Sequence, residues 1–141
     1  MGGSTFHAKL SQEEFSRQLS EVMVHTTTGE IKKGKSFGIH FFKTSHHRIG
    51  ELIRPANAKG VWEARIDVRH PKTNAWVSKE KPSTLFPVSW TEKILLQKIA
   101  EAYENSFQNN SFKKIGSTSC GIRIAFIFQL GVLASCYPLY D

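Results

Sequence analysis

Val61-Trp-Glu-Ala-Arg-Ile-Asp-Val-Arg69 alternates without a break. Trp62, Ala64, Ile66 and Val68 fall on one side of an extended chain, and Glu63, Arg65, Asp67 and Arg69 on the other. Successive side chains of a strand point to opposite faces, so the stretch reads as a half-buried antiparallel strand. His70 to Asn74 has turn composition, and Ala75 to Ser78 returns as its partner.

Outward from this pair, helical spacing takes over. Ser11-Gln-Glu-Glu14 has the form of a capping box, with Phe15, Leu19 and Val22 following on one face, and predicts a helix from about Gln12 to Val24. Ser89-Trp-Thr-Glu92 has the same form, and Ile94, Leu95, Lys98, Ile99, Ala102 and Tyr103 follow at helical spacing, predicting a helix from about Trp90 to Glu104. Lys32 to Ser36 reads as a loop, and Gly38 to Phe42 as a short strand. The proline-bounded Lys79 to Pro87 reads as irregular, and the Asn-, Ser- and Lys-rich Asn105 to Ser119 as an exposed loop. Ile122 to Phe128 is rich in strand formers. Gln129-Leu-Gly131 turns, and Val132 to Tyr137 pairs back as a hairpin. The sum is α+β, with helices packed on antiparallel sheets. One domain over residues 1–141 is expected, with subdomains of about 1–78 and about 79–141.

Composition narrows the function. Nineteen Lys and Arg against twelve Asp and Glu give a net charge of +7. An excess of this size favours a polyanionic partner, because every neutralised phosphate releases a counterion. No run approaches the roughly 18 apolar residues of a membrane span, and the first fourteen residues carry no apolar leader core. Cys120 and Cys136 are too few and too far apart for a zinc knuckle. Both fall on expected strands, so buried free thiols are the default, with a cross-strand disulfide left open. The adjacent His46 and His47 point two ways on any regular element, which suits surface exposure better than shared metal binding. Trp62, Trp76 and Trp90 read as packing residues of core and sheet.

The chemistry concentrates between Val24 and Phe42. His25 and His40, fifteen residues apart, flank a lysine cluster of Lys32, Lys33 and Lys35. Two imidazoles beside an anion-attracting loop form a candidate acid–base pair. Taken singly, each is more often a surface or satisfied core histidine.

Four segments together resemble the EndoU family of endoribonucleases. His25-Thr-Thr-Thr-Gly-Glu30 is similar to its first histidine motif, and Phe37-Gly-Ile-His40 to its second, at the separation that viral members show. Lys81-Pro-Ser-Thr-Leu-Phe-Pro-Val-Ser-Trp90 resembles the lysine region of the bacterial branch, and Ser135-Cys-Tyr137-Pro138 the terminal Ser/Thr-x-Tyr-Pro. The resemblance covers roughly residues 20 to 141. Two departures stand out: Phe37 occupies the place of the first glycine of the second motif, and Ser135 that of the terminal threonine. Lys79 and Lys81 both precede Ser83, and the Pro-Ser/Thr context selects Lys81.

The resemblance implies a reaction. Cleaving RNA without a metal uses the ribose 2′-OH as an internal nucleophile, so proximity comes with the substrate. One histidine takes the 2′ proton, another protonates the departing 5′ oxygen, and a lysine stabilises the charge growing on the phosphate. By resemblance His40 is the base, His25 the acid and Lys81 the electrophile, the two histidine labels being interchangeable at this stage. Ser135 and Tyr137 would contact the nucleoside, and the product would be a 2′,3′-cyclic phosphate. No metal or other cofactor is implied. The bacterial branch further implies the C-terminal toxin domain of a contact-dependent growth inhibition or related system. Such a domain is delivered from a secreted or surface protein, attacks transfer RNA in a recipient's cytoplasm, and is held by a cognate immunity protein. The alternative from another class is a non-catalytic basic RNA-binding module.

Overall fold

A computed structural model describes residues 10–23, 30–32, 35–37, 39–79 and 81–141, the first two strands by backbone alone. In chain order these are α1 (Gln12–Met23), β1 (Glu30–Lys32), β2 (Lys35–Phe37), β3 (His47–Arg54), β4 (Trp62–Arg69), β5 (Trp76–Ser78), β6 (Ser83–Leu85), α2 (Glu92–Glu104), β7 (Phe107–Asn110), β8 (Lys113–Ser117), β9 (Arg123–Gln129) and β10 (Val132–Pro138). The architecture is α+β, and every described strand pairing is antiparallel. β1 and β2 form a hairpin, β3-β4-β5 a sheet that β6 joins along β4, and β10-β9-β8-β7 a second four-stranded sheet.

The alternation read in β4 is realised. Trp62, Ala64, Ile66 and Val68 are buried together with Ile39 and Leu85. On the opposite face Asp67 is also buried, although the polar side of the pattern predicts exposure. A carboxylate can be buried only with partners. Here Arg48 Nε donates to it at 2.8 Å and the Ser78 hydroxyl at 3.0 Å.

A second core joins α1 and α2 to the β9–β10 hairpin. Phe15, Leu19 and Val22, spaced to share one helical face, are all buried. Each such side chain contributes about 1.5–3 kcal/mol when removed from water. Phe15 stacks on Tyr103 of α2 at 4.0 Å between centroids. The Gln18 amide, also buried, accepts a hydrogen bond from Leu133 N at 2.8 Å and so ties α1 to β10. The chain end closes over the same region. Arg123 and Lys59 pair with Asp141, and the Tyr140 hydroxyl donates to the Pro55 carbonyl.

Several local expectations are corrected. Lys32 and Lys35 are register partners in a hairpin, so the described residues of the expected Lys32–Ser36 loop, 32, 35 and 36, are strand. The expected strand at residues 38–42 is irregular over its described part, 39–42. The Lys79–Pro87 segment contains β6, whose Ser83, Thr84 and Leu85 pair with Ala64, Glu63 and Trp62. The two flanking prolines hid it, since neither lies in the three paired positions. α2 begins two residues later than expected. Its cap is Thr91, whose hydroxyl accepts from Ile94 N, and not Ser89. The Asn105–Ser119 stretch is the β7–β8 hairpin; its polar composition belongs to an edge, where β7 is exposed throughout. His47 is buried, its Nδ1 accepting from Lys43 N at 2.9 Å, while His46 is exposed. Both thiols are free, but Cys120 sits exposed beside the Thr118 hydroxyl and only Cys136 is buried.

Gly116 of β8 explains how closely this sheet approaches α2. A Cβ there would come to 1.8 Å from the Ala102 carbonyl oxygen, a backbone atom that cannot swing aside. Gly116→Ala is therefore expected to destabilise the fold by about 3 kcal/mol through forced separation of helix and sheet. Chemical denaturation checks this; an unchanged midpoint would mean that the contact relaxes freely.

Candidate active site

The site forms where the two sheets meet, because β6 of the first lies beside β10 of the second. His40 is brought to that seam by an unusual backbone. Ile39 has φ 71°, a left-handed conformation that β-branched residues rarely adopt, and its side chain is fully buried against Trp62 and Leu85. Apolar burial holds the strained residue in place, and the next residue is turned toward the seam.

Three contacts then fix the imidazole of His40. Its own carbonyl accepts from Phe86 N at 2.8 Å. Its Nδ1 lies 2.7 Å from the Thr84 carbonyl oxygen. A carbonyl only accepts, so Nδ1 carries the hydrogen, and in the neutral ring the basic lone pair is on Nε2. The ring stacks on Tyr137 with centroids 5.3 Å apart and planes 30° apart. Trp62 Nε1 donates to the Phe86 carbonyl at 3.2 Å, which braces the same turn from the β4 side.

Tyr137 reaches His40 because β10 carries a register shift between Leu133 and Ser135. Leu133 and Cys136 both belong to the helix-side core, although an odd spacing would send them to opposite faces of a regular strand. The irregularity resets the alternation, and Ser135 and Tyr137 share the other face. Both are half-buried.

Lys81 is exposed on the turn leading into β6, three residues before the Thr84 carbonyl that holds His40. Lys79 is half-buried, and its ammonium donates to the Lys81 carbonyl at 2.8 Å. Burial, and secondly the charge of Lys81, lower its pKa from the ordinary lysine value. His25 lies outside the described residues. Of the residues singled out from sequence, His40 and Tyr137 are thus in direct contact, with Ser135 on the same strand face. Thr84 and Ile39 were not singled out. Thr84 acts through a backbone oxygen that every residue type possesses, and an isoleucine gives no local sign of positive φ. Among the described residues no group of three or more His, Cys, Asp or Glu is placed to hold a metal ion. No described helix is long and apolar enough to cross a membrane.

Residues 20–140 match the family model described as bacterial EndoU nuclease. The chain belongs to that family of nucleases. It is 30% identical over 97% of its length to a Bacillus cereus protein named "Toxin", of which it spans 28%. Among solved structures it is similar to the endoribonuclease Nsp15 of Middle East Respiratory Syndrome Coronavirus, with 13% identity and a TM-score of 0.45, covering 92% of this chain and 41% of that one.

Proposed function

We propose that the domain is a metal-independent endoribonuclease acting as a toxin. His40 serves as general base toward the ribose 2′-OH, His25 as general acid toward the 5′ leaving oxygen, and Lys81 as the cation on the scissile phosphate. The observation that carries this reading is the clamp on His40. A carbonyl tether fixes its neutral tautomer with the lone pair on Nε2, and a stacked tyrosine fixes the ring plane. A general base needs its basic nitrogen held in one direction near neutral pH, and the clamp supplies that. Tyr137 and Ser135, on the His40 side of β10, contact the nucleoside next to the scissile bond. The product is a 2′,3′-cyclic phosphate, and transfer RNA is the target class. The Bacillus relative's name and its greater length support delivery into a recipient cell as part of a larger protein. An acidic immunity protein covering the basic cleft would be the matching partner.

The test is direct. Purified protein incubated with total RNA in excess EDTA is expected to produce discrete fragments whose 3′ ends resist phosphatase until the cyclic phosphate is opened by acid. Activity abolished by EDTA and restored by a divalent ion would replace this mechanism with a metal-dependent one. Binding without any cleavage would leave an RNA-binding module.

A further inference from the structure

Away from His40, the outer face of the first sheet presents a second cationic feature. β4 carries Glu63, Arg65, Asp67 and Arg69 on this face, and its neighbours add Arg48, Glu51 and Arg54 from β3 and Trp76 and Ser78 from β5. Most of these charges are neutralised in pairs across the strands: Arg54 with Glu63, and Arg65 with Glu51. The end of the face at Arg69 differs. The Arg48 guanidinium carbon lies 4.7 Å from the Trp76 ring centroid, and that of Arg69 lies 5.0 Å from the same ring. Arg69 is exposed and has no carboxylate partner among the described residues.

This pair is built rather than incidental. Arg48 is anchored through Nε to Asp67, which is itself buried and held by Ser78. Gly50 leaves the room that this carboxylate fills, since a Cβ there would lie 2.9 Å from Asp67 Oδ1. The indole gives both guanidinium planes a shared apolar surface to rest on, which lowers the entropy each loses on binding. Guanidinium groups held in place on one indole can donate to the oxygens of a phosphodiester.

We propose that Arg69 and Arg48, held by Trp76, form a subsite for an RNA backbone phosphate several nucleotides from the cleaved bond; this rests on reading the domain as an RNA-cleaving enzyme. The distance follows from β4. Glu63 is the register partner of Thr84, whose carbonyl holds His40, and Arg69 lies six residues further along the same strand. At about 3.3 Å per residue the separation along β4 is on the order of 20 Å. One phosphate cannot touch both ends. β2, of the β1–β2 hairpin, lies beside β5.

The test uses the whole domain, an uncleavable 2′-O-methyl transcript of transfer-RNA size for binding, and a cleavable transcript and dinucleotide for kinetics. Arg69→Ala, an exposed change, is expected to weaken transcript binding about tenfold, as removal of a charge-assisted contact does. It should also make the slope of log affinity against log salt shallower by about one. Arg69→Lys should keep the slope while losing part of the affinity. The kcat/KM for the transcript should fall more than that for the dinucleotide. Unchanged transcript affinity and slope would overturn the subsite. Equal losses on transcript and dinucleotide would move Arg69 to the reacting centre and also overturn it. A parent protein that neither binds the transcript nor cleaves RNA would remove the nuclease reading first, and the subsite with it.

Discussion

His40→Ala is expected to lower the rate of RNA cleavage by about 10²–10⁴-fold, the usual contribution of a positioned acid or base. Stability should change far less. The half-buried ring gives up one hydrogen bond to Thr84 and its stacking on Tyr137, together about 1–2 kcal/mol. Thermal unfolding beside initial rates separates the two effects. His25→Ala should cause a loss of the same order if it supplies the opposing proton. Single variants that both keep near-parental rates would dismantle the acid–base pair. The parent's rate should follow a bell in pH, because one imidazole must be neutral while the other is charged. Removal of either histidine should leave one limb.

The second large effect concerns the two lysines before β6. Lys81→Ala is expected to cost about 2.7–4 kcal/mol in the catalytic step, by analogy with deleting one donor to a developing oxyanion. It should appear in kcat. Lys79→Ala should instead raise KM, by loosening the turn that presents Lys81, and leave kcat nearly unchanged. The geometry motivates the division. The Lys79 ammonium is committed to the Lys81 carbonyl and half-buried, and burial holds its pKa down. It therefore acts as a brace inside the turn, whereas the Lys81 side chain is exposed at its tip. The reverse kinetic pattern would pass the electrophile's role to Lys79. No effect of either substitution on kcat would take this turn out of the chemistry.

How far the sequence could be read depended on whether side chains or backbone carried the information. The β4 alternation and the α1 stripe of Phe15, Leu19 and Val22 are written in side-chain type, and both are realised. β6 was hidden because only three paired residues lie between prolines, and β7–β8 because edge strands tolerate Asn, Lys and Ser. Asp67 looked solvent-facing because its pairing with Arg48 and Ser78 is across strands, and so invisible along one of them. The same division runs through the site. His40 and Tyr137 could be named from their residue types, and they are in contact. The left-handed turn at Ile39 and the Thr84 tether could not, since one is a dihedral angle and the other a peptide oxygen.

That peptide oxygen has an evolutionary consequence. A substitution replaces side chains and leaves carbonyls where they are, so no codon change at Thr84 removes the group that sets the His40 tautomer. Lineages drifting toward inactivity have one fewer single-step route open to them. Lesions that upset this tether must fall on the imidazole itself or on residues that place strand β6, such as Ala64 and Leu85. In a collection of spontaneous non-functional alleles, position 84 should therefore be a cold spot beside its neighbours.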